Sequence, residues 1–361
     1  METIQSIKIP AHYNIYTGAN DRDLRIDFVI PTQGVNENTG LFILVPGFGA
    51  SIESKVYKKM LINFADLYNV VTLQCDYFGH RFMQGGENLI LKTPFSEIAH
   101  LFLEEEMQQI KDEPQRLLSI LSTKQVNVYA QENLDESLDE FADLSYMQAI
   151  DIITAIEAVK VLLKGNKLTF NEKRVIGWGQ SQGAYLLHLV NRLTPHLLSL
   201  IIDNAAWIQP SYLNDKRVLA MKINNCTFNV SFEYLVSKLA IDQEALSLKT
   251  LYKEFENNSY IKSFIGTTDN LVSEKEKEEI FRFVPYCDFH IIDETKVDGE
   301  IFKSTNHGLD ADFIKLVGYI MSEDIYHINK KEKESNYQVK LSQTVITVDY
   351  TNELPIFNFK W

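Results

Sequence analysis

The chain has little cysteine, a deficit of positive charge and no long apolar run, and each shortage removes a class of function. Its three cysteines, Cys75, Cys226 and Cys287, show no CxxC spacing and cannot make an even disulfide framework. They are expected as reduced thiols in a cytoplasmic protein. Lysine and arginine number 35 against 49 aspartates and glutamates, a net charge of −14. A chain so acidic is not expected to present the basic face that a phosphate backbone demands, so nucleic acid is not expected as a partner. No run of about 18 apolar residues occurs, so no membrane span is expected. The opening Met1-Glu2-Thr3-Ile4-Gln5 has no basic stretch leading into an apolar one, so no secretory signal is expected either. H-x-x-x-H and H-E-x-x-H are absent, and no G-K-[ST] follows Gly177-Trp178-Gly179, so neither a metal nor a cofactor is expected.

What the chain does have is apolar runs alternating with helical repeats. Its 361 residues, 45% of them hydrophobic, suffice for one large α/β domain with insertions or for two domains. Residues 6–16 and 24–30 alternate like half-buried strands. Residues 41–45 and 70–75 are continuous apolar runs, as in strands buried on both faces. A helix is expected over 53–67. Residues 101–120 read as helix, 125–139 as an exposed acidic loop, and 147–163 as a strongly amphipathic helix leading to a strand at 174–178. Further strands are expected at 197–202, 261–265 and 288–292, and a helix at 311–321. Residues 207–260 read as mixed and mostly helical, 330–335 as a charged linker, and 337–361 as β structure. This alternation predicts a mostly parallel sheet with helices on both faces and the loops that follow its strands gathered along one edge. The expected division is a domain over 1–325, with cap insertions at about 80–140 and 207–260, and a β-rich extension over 336–361 that extends the sheet or joins two subunits as a homodimer.

The most specific motif is Gly179-Gln180-Ser181-Gln182-Gly183. G-x-S-x-G is the nucleophile elbow, a sharp strand-to-helix turn that lifts a serine hydroxyl clear of the backbone. An apolar strand precedes it, and Ala184, Leu187 and Val190, with Leu186, Leu189 and Leu193 one row over, repeat behind it at helical spacing. The competing reading is a chance Gly/Ser turn. Gly179 and Gly183 flank the serine, where a turn packed on its own helix has no room for Cβ atoms.

A serine hydroxyl needs a base, an acid to orient that base, and donors for the oxyanion. The chain order that goes with this elbow is serine, acid, histidine. Of His290, His307 and His327, His290 alternates within a strand and His327 follows the last long helix. His307 lies in the polar turn Ser304-Thr305-Asn306-His307-Gly308, where an exposed imidazole would be carried. For the acid, Asp269 in Gly266-Thr267-Thr268-Asp269 is favoured over Asp203, which ends the preceding strand; Asp293 and Asp298 are weaker candidates. Oxyanion N–H groups are expected from Gln182, at the start of its helix, and from Phe48 or Gly49 in Val45-Pro46-Gly47-Phe48-Gly49-Ala50-Ser51. His80 and Arg81, after the strand at 70–75, are candidates for an anionic substrate, with a plain solvated loop an equal alternative. Trp207 is a candidate pocket wall or a core residue.

These motifs, in this order over roughly residues 20–325, resemble the α/β-hydrolase superfamily. Pro46 replaces the usual histidine of its oxyanion loop. The resemblance implies an eight-stranded sheet, a Ser-Asp-His triad and acyl-transfer chemistry. Gly-x-Ser-Gln-Gly-Ala-Tyr and Ile-Ile-Asp-Asn-Ala-Ala-Trp also resemble a hydrolase-like family found beside bacterial flagellin-glycosylation genes, which implies an acylated sugar as substrate. The expected function is therefore a serine esterase or deacetylase acting on a small-molecule or carbohydrate ester. A sugar O-acyltransferase with the same triad, and a non-catalytic binding protein on the same fold, are the alternatives.

Overall fold

The apolar runs form the middle of an eight-stranded sheet. The computed structural model describes residues 4–85, 88–323, 329 and 331–361. His327 and the first residue of the expected charged linker, Lys330, lie outside the described residues. The strands of this sheet are β1 (Gln5–Pro10), β2 (Asp23–Val29), β3 (Gly40–Val45), β4 (Val70–Cys75), β5 (Val175–Gln180), β6 (Leu200–Asn204), β7 (Tyr260–Gly266) and β8 (Cys287–Ile292). Their order across the sheet is β1-β2-β4-β3-β5-β6-β7-β8. Only β2 runs antiparallel to its neighbours; every other pairing is parallel. This is an α/β-hydrolase fold. The chain leaves β3 for β4 on one side and reaches β5 on the other, so the strand order reverses at β3 and a crevice opens at the carboxyl ends of the strands.

Side chains alternate across the strands and bury two helical layers. Phe42, Leu44, Ile176, Trp178, Ile202 and Phe264 share one core with α1 (Lys55–Leu67) and α5 (Phe313–Met321). The α1 helix turns Tyr57, Met60, Leu61, Phe64 and Ala65 inward at helical spacing. On the opposite face lie α2 (Tyr146–Gly165) and α3 (Gln182–Leu193), and the Leu187 side chain of α3 fills the space beside Gly177 of β5.

The α2 helix departs from its sequence pattern. It reads as amphipathic, yet every residue from Tyr146 to Lys160 is buried. Its charged positions meet partners from distant segments rather than water. Asp151 pairs with Arg22 at 2.6 Å, and Lys333 reaches to 3.7 Å of Glu157. The C-terminal tail adds apolar cover at the helix start. It folds as a three-stranded antiparallel sheet, Asn336–Leu341, Thr344–Asp349 and Ile356–Lys360, and its Phe359 and Trp361 rings stand 4.9 and 5.8 Å from Tyr146.

Arg81–Ser137 and Tyr212–Leu239 form a second compact unit. Its four-stranded sheet has the order Leu89–Leu91, Asn127–Glu132, Cys226–Phe232, Arg217–Ile223. Three expectations are corrected here. The helix over 101–120 is broken into Glu104–Asp112 and Leu117–Ser122, because Pro114 cannot continue a helix. The acidic loop over 125–139 contains a strand whose Val128, Ala130 and Glu132 face inward. The mostly helical reading of 207–260 misses a hairpin closed by Asn224-Asn225, with Asn224 at φ 52°; asparagine takes that conformation more readily than most residues. Among the described residues no helix is long and apolar enough to cross a membrane.

One histidine ties the tail to the N-terminal segment. His12 Nε2 accepts the Phe357 N–H at 2.9 Å, while Nδ1 lies 2.8 Å from the Tyr13 carbonyl. Burial pushes the His12 pKa down to about 4, against the raising effect of the Tyr13 bond. The unfolded chain, with histidine near 6.5, binds the extra proton first, so stability is lost as pH falls from about 6.5 to about 4. Urea midpoints across that window should show wild type losing up to about 3 kcal/mol more than His12→Gln, whose amide oxygen accepts the same N–H without titrating.

Candidate active site

Ser181 sits between β5 and α3 with φ 53° and ψ −118°. A non-glycine residue held there stores about 1–3 kcal/mol of strain, and its surroundings hold it. Its N–H donates to the Asn204 carbonyl at 2.8 Å, and its own carbonyl accepts the Tyr185 N–H at 3.0 Å. The helix that follows starts hard against β3. A Cβ added at Gly183 would stand 2.2 Å from the Val45 carbonyl oxygen and 2.5 Å from that of Pro46. Only glycine permits this approach.

His307 comes from the loop beyond β8. Its Nε2 lies 2.7 Å from Ser181 Oγ and its Nδ1 lies 2.8 Å from Asp269 Oδ2. A carboxylate only accepts, so Nδ1 carries the proton and Nε2 is left to accept the serine O–H. Asp269, its side chain fully buried, uses its other oxygen to accept the N–H groups of Leu271 and Val272, both at 2.9 Å. The loops bearing Asp269 and His307 are fastened together: the Thr268 N–H donates to the Thr305 carbonyl at 3.0 Å, and their hydroxyls meet at 2.7 Å.

The loop after β3 lies beside the serine. Gly47 faces the Gln180 carbonyl and Ser181 Cβ, 3.1 and 3.7 Å from where its own Cβ would be. The turn carrying Phe48 and Gly49 closes with the Ala50 N–H donating to the Gly47 carbonyl at 3.0 Å. Gln182, at the first position of α3, is fixed through its side chain. Its Nε2 donates to Gln148 Oε1 at 2.6 Å, and Gln148 Nε2 donates to the Phe78 carbonyl at 3.1 Å.

Trp207 is 1% exposed, and its ring stands 5.7 Å from that of Phe48. Phe48 follows β3 and Trp207 follows β6, on opposite sides of β5, so the two rings meet across the strand end that carries Ser181. His80 is half-buried, its Nδ1 3.0 Å from the Tyr77 carbonyl, and lines a small hollow with Pro46, Ser51 and Asp76. Arg81 opens the second unit with its guanidinium 4.6 Å from the centre of the Phe82 ring. His290 stays within β8, stacked on Phe264. Among the described residues no group of His, Cys, Asp and Glu could hold a metal ion.

Asp203, the alternative acid, is engaged elsewhere. Fully buried, it lies 2.9 Å from Lys277 Nζ and accepts from His188 Nε2 at 3.1 Å, Ser263 Oγ at 2.7 Å and the Ala206 N–H at 2.6 Å. Burial alone would raise its pKa. The Lys277 charge and the His188 hydrogen bond outweigh that and hold it well below the usual carboxylate range. Lys277 belongs to α4 (Glu274–Phe281), the helix that follows the Asp269 loop, so this ion pair moors the acid-bearing segment to β6. No motif in the sequence singles out Lys277 or Gln148, and Asn204 lies within Ile-Ile-Asp-Asn-Ala-Ala-Trp without any role that the motif assigns it. Lys277→Met leaves Asp203 as a buried charge without its counter-ion. It should cost about 3–5 kcal/mol in urea denaturation, a large part of the roughly 5–15 kcal/mol margin of an ordinary domain.

No curated protein matches the sequence. Among solved structures the chain is similar to Est1E of Butyrivibrio proteoclasticus with ferulic acid bound, at 13% identity over 87% of this chain and 97% of that one, with a TM-score of 0.45. It is similar to dienelactone hydrolase of Anabaena variabilis at 12% identity over 90% and 99%, TM-score 0.43. It is also similar to an S-formylglutathione hydrolase of Agrobacterium tumefaciens at 9% identity over 90% and 95%, TM-score 0.46. Residues 18–281, which run from the approach to β2 through the end of α4 and include Ser181 and Asp269, match the family described as "Protein of unknown function (DUF2920)", and the chain belongs to that family.

Proposed function

We propose that the protein is a serine hydrolase that cleaves a carboxylic ester through an acyl-enzyme. The observation that carries this reading is the continuous hydrogen-bond chain Asp269–His307–Ser181, at 2.8 and 2.7 Å, with the serine held in a strained elbow at the head of a helix. His307 Nε2 takes the hydroxyl proton as Ser181 Oγ attacks the carbonyl carbon. The oxyanion is held by the N–H groups of Phe48 and Gln182, the latter favoured by the helix N-terminus. Collapse breaks the bond to the leaving alcohol, which departs with the proton from His307. Water then gives a proton to His307 as its oxygen adds to the acyl carbon. Ser181 is released on taking that proton back, and a carboxylic acid leaves. Asp269 fixes the imidazole tautomer and stabilises the imidazolium throughout.

The contact between Phe48 and Trp207 supports an apolar wall beside the carbonyl, suited to a compact acyl group. Sugar acetates belong in the substrate panel because of the Ile-Ile-Asp-Asn-Ala-Ala-Trp resemblance. A fluorophosphonate probe should label wild type at Ser181, fail on Ser181→Ala and react far more slowly with His307→Ala. On any short acyl ester that turns over, Asp269→Asn should lower kcat by about 10⁴-fold, because the amide favours the wrong tautomer. Folded wild type that neither labels nor hydrolyses any ester would defeat the proposal.

A further inference from the structure

Ser181 and Gly308, the residue after His307, are both fastened to one residue that belongs to neither loop. Asn204 ends β6 and lies in register with Gln180, the residue before the nucleophile. Its backbone carbonyl accepts the Ser181 N–H at 2.8 Å. Its side-chain Nδ2 donates to the carbonyl of Gly308, the residue after the base, at 3.2 Å. Asn204 is fully buried, and its Oδ1 has no hydrogen-bond partner among the described residues. An apolar side chain would fill the same space without a buried amide to satisfy, so the bond to Gly308 is what the asparagine contributes.

The loop it holds needs holding. Gly308, Leu309 and Asp310 follow one another at φ 75°, 64° and 44°. Successive left-handed residues are disfavoured for L-amino acids, and glycine alone takes the conformation freely. Leu309 anchors one side of the loop in the core. On the other side the Gln180 amide stands 2.8 Å from where a Gly308 Cβ would be, so the loop is pressed against the same strand end that Asn204 grips.

We infer that Asn204 is a positioning residue whose side chain sets the reach of His307 to Ser181. The inference rests on the proposed triad. Without the Nδ2 donor the Gly308 carbonyl is released, the strained turn relaxes, and the 2.7 Å contact between imidazole and hydroxyl opens. A displacement of about 1 Å in a reacting group costs on the order of 10² in rate. Asn204 is buried beneath the loop, so substrate binding should change little.

The test is a double-mutant cycle on a short acyl ester, using Asn204→Ala, Gly308→Ala and the pair, with urea midpoints and fluorophosphonate labelling measured for each. Gly308→Ala disturbs the same loop from the Gln180 side. Asn204→Ala should lower kcat about 10²-fold with KM changed less than about two-fold. The double variant should lose much less than the product of the two single losses, because both act through the position of His307. Should Asn204→Ala fail to fold, Asn204→Leu preserves volume without the donor and carries the same expectation. Unchanged kcat in a folded variant, a loss confined to KM, or losses that multiply fully would overturn the role of Asn204 while wild-type labelling leaves the triad standing. Wild type that fails to label at Ser181 removes the triad and this inference together.

Discussion

The site depends on one close approach, the start of α3 against the end of β3 at Gly183. It brings the first backbone N–H groups of the helix beside the loop of Phe48 and forces Ser181 into a positive φ that it would not otherwise keep. The strain is local, whereas the restraint is spread over the sheet, since Ser181 is bonded to β6 through Asn204 and to its own helix through Tyr185. If Ser181 is the nucleophile proposed, it is oriented before substrate arrives, which is the condition under which positioning lowers a barrier.

The second requirement is that two loops from the far end of the sheet meet that serine. Two devices secure them. The pair of threonines, Thr268 and Thr305, zips the Asp269 loop to the His307 loop. The buried Asp203–Lys277 pair, with His188 and Ser263 around it, ties the helix after the acid loop to β6, β7 and α3. A buried ion pair is seldom the cheapest way to stabilise a core, but it specifies which elements lie together. Here those elements are the strand behind Ser181 and the segment bearing Asp269, so one buried pair anchors both.

Much of this was legible in the sequence because short-range patterns carry it. Buried strands show as apolar runs, the elbow shows as two glycines around a serine, and His307 stands in a polar turn before a helix. The sequence favours Asp269 over Asp203 but does not show what engages Asp203 instead, since its partner Lys277 lies 74 residues away. The charges of α2 misled for the same reason. The helix reads as amphipathic because Asp151 and Glu157 are charged, yet their partners Arg22 and Lys333 lie in distant segments. The hairpin at Arg217–Phe232 was hidden by alternation too brief to outweigh its polar surroundings. Asn204 stands inside a quoted motif, yet nothing in that motif shows that its side chain reaches Gly308, 104 residues away.

The central claim is that Ser181 becomes covalently acylated during turnover. Its most direct measurement is acid quenching during the pre-steady state with a p-nitrophenyl ester, followed by peptide mass mapping. A burst of p-nitrophenol of about one equivalent per chain is expected when deacylation is the slower step, with one acyl group on the peptide containing Ser181. Turnover with no acyl group on Ser181, or with the acyl group on another residue, would contradict it.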